Sequence, residues 1–119
     1  MTRVLLVGFD PAAIPGQDAT AVEPAFAQAR RQAADEHLEL VECLVAPDES
    51  AVPQIESSLA AGTWDCVVIG GGIRKPEPAL ELFEYVVNLV RRRAPAAAIA
   101  FNTSPADTVD AALRALAGA

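Results

Sequence analysis

Two short runs, Val4-Leu5-Leu6-Val7 and Cys66-Val67-Val68-Ile69, are apolar at every position and each ends on a glycine, Gly8 and Gly70. A strand with one face in water alternates polar and apolar residues, so an uninterrupted run must be covered on both sides. That is the condition of a central strand in a parallel sheet. Two further β-branched runs complete a set of four strands, over 4–8, 38–46, 66–70 and 97–102. Stretches of helical period follow them, the alternation expected of βαβ units.

The first helix is expected over about 21–36, with Val22, Phe26, Ala29 and Ala33 on one stripe. The second spans 50–61, with Ser50 as N-cap and Gly62 as its stop. The third spans 78–93, turning Leu82, Phe83, Val86, Val87 and Val90 inward and ending before Pro95. The fourth spans 105–117, with Ser104 as N-cap and Asp107 in its first turn. The connection from Phe9 to Thr20, with Pro11, Pro15 and Gly16, exceeds the usual ~2–6 residues of a βα loop and reads as a lid or a surface excursion.

Glu39 and Glu42 mark the second strand as an edge. The order 2-1-3-4 follows, in a single three-layer α/β/α domain over 1–119. Right-handed crossovers put the first helix on one face and the second and third on the other, so the chain reverses direction between strands one and three. Loops leaving those strands meet at a topological switch point, where open α/β sheets bind ligands. The fourth helix is expected beside the first, because elsewhere it would leave Val68, Ala98 or Ala100 open to water. That leaves strand four, which lacks charged residues, as a free edge or a dimer seam.

Composition narrows the function. With 52% apolar residues the chain is not a disordered tail, and no run approaches the ~20 apolar residues that span a bilayer. A net charge of −7 argues against nucleic acid. The N-terminus shows no apolar h-region, and Cys43 and Cys66 lack disulfide or zinc spacing, so a cytoplasmic protein with buried thiols is expected and no metal.

Three segments reach the switch point. Gly8-Phe9-Asp10-Pro11 puts a carboxylate at the end of a central strand, where Asp10 serves either as a ligand or base or as a turn initiator. Gly70-Gly71-Gly72-Ile73-Arg74-Lys75-Pro76 joins three glycines to two cations. It suits an anion held by successive N–H groups, or it is only a tight strand exit with Arg74 paired to Glu77 or Glu81. It matches neither the P-loop nor GxGxxG. Asn102, Thr103 and Ser104 offer donors at a helix start, or a plain cap. His37 reads as a surface residue, Arg91-Arg92-Arg93 as charges complementing a helix dipole, and Trp64 and Tyr85 as packing residues. Without a loop Cys, a nearby His or a GxSxG elbow, catalysis would rest on Asp10 and a cofactor that no motif names.

The layout resembles a receiver or flavodoxin-like α/β/α sandwich without a fifth strand, and WDCVVIGGG with AIAFNTSPADTVDAALRALAGA is similar to the second half of a receiver domain. In that likeness Asp10 stands for one of an acidic pair and Thr103 for the hydroxyl after strand four, while glycines replace the phospho-acceptor region. More closely, VGFDP, VVIGGGIRKP, LFEYVVNLV and IAFNTSP resemble motifs of a group of small uncharacterised bacterial proteins. That resemblance implies a bacterial cytosolic origin and no particular activity. The leading expectation is a domain that binds an anionic small molecule among Asp10, Gly70, Gly71, Gly72, Arg74, Lys75, Asn102, Thr103 and Ser104. A ligand-free interaction module forming homodimers is the rival, and a degenerate receiver is third.

Overall fold

The computed structural model describes residues 1–118. Strands β1 (Thr2–Phe9), β2 (Leu38–Val45), β3 (Cys66–Ile69) and β4 (Ala98–Phe101) form one parallel sheet of order β2-β1-β3-β4. β1 lies against β2 along its whole length, Thr2 beside Leu38 through Phe9 beside Val45, whereas β3 meets it only from Val4–Cys66 to Val7–Ile69. The two long strands therefore project past the two short ones. β1 starts earlier than its apolar run because Arg3 and Asp65 exchange hydrogen bonds: Asp65 N–H donates to the Arg3 carbonyl (2.9 Å) and Arg3 N–H to the Asp65 carboxylate (2.8 Å).

Helices α1 (Ala19–Asp35), α2 (Ala51–Ala60), α3 (Gly71–Arg74), α4 (Leu80–Arg93) and α5 (Thr108–Ala117) supply the outer layers. On one face Leu5, Val7, Val67 and Ile69 meet Ile55 and Leu59 of α2 and Val86, Leu89 and Val90 of α4. On the other, Leu6, Val68 and Ala100 meet Phe26 of α1 and Ala111 and Ala112 of α5. The last helix thus lies beside the first, as burial of Val68 and Ala100 requires. Cys43 and Cys66 are buried free thiols, one in each core. Among the described residues no helix is long and apolar enough to cross a membrane.

Several local expectations need correction. α1 begins at Ala19, because the Asp18 carboxylate accepts from Thr20 N–H (3.0 Å) and caps it, and Pro24 sits inside the helix. Ser50 makes no side-chain cap; Asp48 instead accepts from Ser50 N–H (2.8 Å). Leu89 joins the inward face of α4, which starts at Leu80 after a 3-10 turn over Glu77–Ala79. Gly62 also leaves room for the Arg3 guanidinium, the mobile end of a side chain that a Cβ there would displace. That guanidinium lies 4.4 Å from the Trp64 ring centroid and pairs with Glu39 (2.8 Å), while Trp64 itself is buried with its indole donating to the Leu59 carbonyl (3.2 Å).

Candidate functional site

The switch point between β1 and β3 opens at their carboxyl ends. Asp10 N–H donates to the Val45 carbonyl (2.8 Å), tying the exit of β1 to β2. The chain then makes a 3-10 turn over Pro11–Ala13 and passes through Gly16, whose φ of +80° is open to glycine, before reaching α1. This connector packs no helix of its own against the sheet. It forms one wall of the opening through Pro11, Ile14 and Gln17.

The opposite wall grows from β3 and β4. Gly70 N–H donates to the Val7 carbonyl (2.8 Å), which holds the end of β3 against β1. A Cβ at Gly70 would stand 3.3 Å from that carbonyl, and one at Gly71 3.3 Å from the Thr103 carbonyl and 3.2 Å from Lys75 Cε. These glycines permit close approach; none of the three has positive φ. The segment after Gly70 is therefore the helical turn α3, not an anion-cradling loop of alternating conformation.

Asn102, 2% exposed, joins the two elements. Its side-chain oxygen accepts from Gly71 N–H (2.9 Å) and its amide donates to Thr108 Oγ1 (3.0 Å), whose hydroxyl donates to the Pro105 carbonyl (2.7 Å). A buried side-chain amide satisfied on both sides fixes the spacing of β3, β4 and α5. Ser104 caps the helical segment that follows: its Oγ accepts from Ala106 N–H (3.3 Å), while Asp107 accepts from Ser104 N–H (3.1 Å), Thr103 N–H (2.9 Å) and Thr103 Oγ1 (2.6 Å). Burial pushes the Asp107 carboxyl up, but these hydrogen bonds outweigh it and hold the group below the usual carboxylate range.

Between the walls lies a cavity of about 490 Å³. Leu6, Val22, Phe26 and Leu44 give it a hydrocarbon floor, and Gly72, Lys75, Ser104 and Gln17 line it with polar groups and open backbone. Of the residues anticipated from sequence, Gly70, Gly71, Gly72, Lys75, Asn102, Thr103 and Ser104 surround this cavity. Asp10 and Arg74 do not. The Asp10 carboxylate accepts from Ala12 N–H (3.0 Å) and so initiates the turn. Arg74 leaves α3 on the side away from the cavity: its guanidinium donates to the Asn102 carbonyl (3.0 Å) and lies 5.9 Å from the Phe101 ring centroid, with no ion pair to Glu77 or Glu81. Successive residues of a helical turn diverge by about 100°, which separates Arg74 from Lys75.

The remaining donors define the chemistry. Asn102 is buried with a partner on both its oxygen and its nitrogen, and the Thr103 proton is held by Asp107. Lys75 Nζ donates to the Thr103 carbonyl (2.9 Å). Among the described residues the ion pairs join Arg3 to Glu39 and Arg30 to Glu23 and Glu42, leaving Lys75 without a carboxylate. An ammonium has three donors, so two remain for a ligand, beside the Ser104 hydroxyl. Both cysteines lie away from this cavity, and burial raises their thiol pKa values, that of Cys66 to about 11 with Asp65 adding to the rise. Ile14 and Gln17 were not singled out from sequence, although the over-long connector that carries them with Pro11 reads there as a lid or a surface excursion.

No family model matches the chain, and no curated protein does. Among solved structures it is similar to one described as a "putative lipoprotein from Peptoclostridium difficile 630 (fragment)", with a TM-score of 0.52 and 14% sequence identity over 85% of this chain and 72% of that one. At that identity the likeness shows a shared fold, a compact α/β domain built on a parallel sheet.

Proposed function

We propose that this chain is a small-molecule binding domain whose ligand has an apolar body and one anionic head. The observation that carries the reading is the cavity itself: about 490 Å³ at the switch point, with hydrocarbon below and Lys75 above. That volume lies within the ~300–1,000 Å³ of ordinary ligand sites. The body rests on Leu6, Val22, Phe26 and Leu44, and the head meets Lys75 and Ser104. An inorganic anion alone is a poor fit, because the floor gives it no partner. A cytoplasmic setting belongs to the same reading and is supported by two free, buried thiols. The receiver-like reading has less support, since the position after β3 is glycine backbone and Asp10 serves its own turn.

The test is a thermal-shift and calorimetric series with octanoate, octyl phosphate, octanol and inorganic phosphate. The two amphiphilic anions raise the melting temperature with concentration, octanol does so less, and phosphate alone does not. Lys75→Met weakens octanoate about tenfold or more, the lower end of the scale of one charge-assisted hydrogen bond of about 1.5–3 kcal/mol, and leaves octanol unchanged. No response to any member of the series, or equal octanoate binding by Lys75→Met, overturns the proposal.

A further inference from the structure

We infer that β4 is the seam of a symmetric dimer, in which a second copy adds its own β4 antiparallel to the first and thereby sets α4 against its counterpart. The argument starts from the edge. Ala98 N–H donates to the Asp65 carbonyl (3.0 Å), so strand alternation turns the polar groups of Ala98 and Ala100 toward β3 and those of Ile99 outward. The Phe101 carbonyl accepts from Arg114 (3.2 Å), which leaves the Ile99 N–H and C=O as the free pair near the middle of the edge. A two-fold axis through Ile99 pairs it with its own copy, each residue giving one N–H and receiving one.

The strand itself carries no charged residue, and the charges that guard it, Arg114 at the Phe101 carbonyl and Arg74 over the Phe101 ring, sit at its carboxyl end and leave its middle open. Leu80 is 50% and Phe101 38% exposed, and Phe101 meets Phe83 edge to face at 5.8 Å between centroids. Tyr85, which donates to Glu56 of α2 (2.6 Å), points to the opposite side of α4. The stripe of α4 toward the edge is therefore Leu80, Phe83, Glu84, Val87 and Arg91.

The charges on that stripe fix the occupant. Phe83 touches Phe101; one helical turn further, about 6 Å, is Val87, and two strand residues back, about 7 Å, is Ile99. Val87 and Ile99 thus stand level, and a two-fold axis at that level runs the two copies of α4 antiparallel. Glu84 of one copy then faces Arg91 of the other, twice, with Val87 between them. The stripe is its own electrostatic complement, and like-charge contacts would arise in the parallel arrangement.

Sedimentation equilibrium of the full chain, from micromolar to sub-millimolar concentration at low salt, tests the seam. The expected result is a dimer that Glu84→Arg or Arg91→Glu each weakens about tenfold or more and that the double exchange Glu84→Arg/Arg91→Glu returns to within a few-fold of the parent. Both positions are solvent-facing, and far-ultraviolet dichroism checks that each variant remains folded. Amide exchange gives a second readout: the Ile99 N–H slows as the dimer fills. A chain that stays monomeric, a dimer indifferent to both single exchanges, a double exchange that restores nothing, or an Ile99 amide that ignores concentration overturns the inference.

Discussion

His37 carries a left-handed backbone, φ 57°, immediately after the α1 cap at Glu36, and its exposed side chain makes no hydrogen bond. Its N–H donates to the Ala34 carbonyl (3.2 Å), so the conformation closes the helix before β2 begins. An L-residue pays about 1–2 kcal/mol for that region and glycine does not. His37→Gly is expected to raise unfolding free energy by about 0.5–1 kcal/mol after glycine's extra unfolded freedom is counted, read by urea denaturation. The same residue shows what a linear chain conceals. Its exposure follows from polar neighbours, but its φ follows from the angle at which α1 must release the chain into β2. At the cavity, Lys75 and Arg74 are equivalent as a sequence pair, and only the handedness of the short α3 turn sends one inward and the other over Phe101. Asp10 is similar: turn initiator and ligand differ by the direction of one carboxylate.

At the scale of elements, the four strands and four long helices were legible because burial imposes periods of 2 and 3.6 on the chain. The order 2-1-3-4 was legible because two runs are wholly apolar and one carries Glu39 and Glu42. The start of α1 was not, since Asp18 caps a segment whose apolar stripe begins later, at Val22, whereas α2 starts at Ala51, within a residue of the expected Ser50. Pro24 in α1 is a case in point. It has no N–H for the Thr20 carbonyl, and its ring crowds that carbonyl, yet Phe26, Ala29 and Ala33 bury the helix firmly enough to hold it. Pro24 is exposed, so Pro24→Ala restores the bond without opening a gap and is expected to stabilise the protein by about 1–3 kcal/mol, checked by the denaturation midpoint at constant m-value.

For the whole molecule, each core holds a thiol whose pKa burial raises. The Cys66 thiol, at about 11 in the folded chain against 9.0 for an ordinary cysteine, stays protonated where the unfolded chain ionises. The unfolded state then binds fewer protons, so stability from this group is level below pH 9, falls as pH rises from 9 to about 11, and levels again above. Cys43 and Tyr85, also raised, act in the same direction, the thiol through burial and the phenol by donating to Glu56. Cys66→Ala is expected to lower stability at neutral pH by leaving a small void, and to flatten the decline between pH 9 and 11 relative to the parent, as urea titrations across that range will show. The sheet also has two poles. At its amino end Arg3 binds Glu39, Asp65 and the Thr63 carbonyl and covers Trp64, while the cavity opens at its carboxyl end, with its rim at Phe9. Six residue steps along extended β1 from Arg3 to Phe9 put about 20 Å between them, well past the ~7–10 Å over which substitutions influence one another. Changes at the Arg3 clasp and changes at the cavity rim, at Phe9 or Lys75, should therefore combine additively. Thermal tolerance and ligand choice can be adjusted separately in this chain, each at its own end of the same four strands.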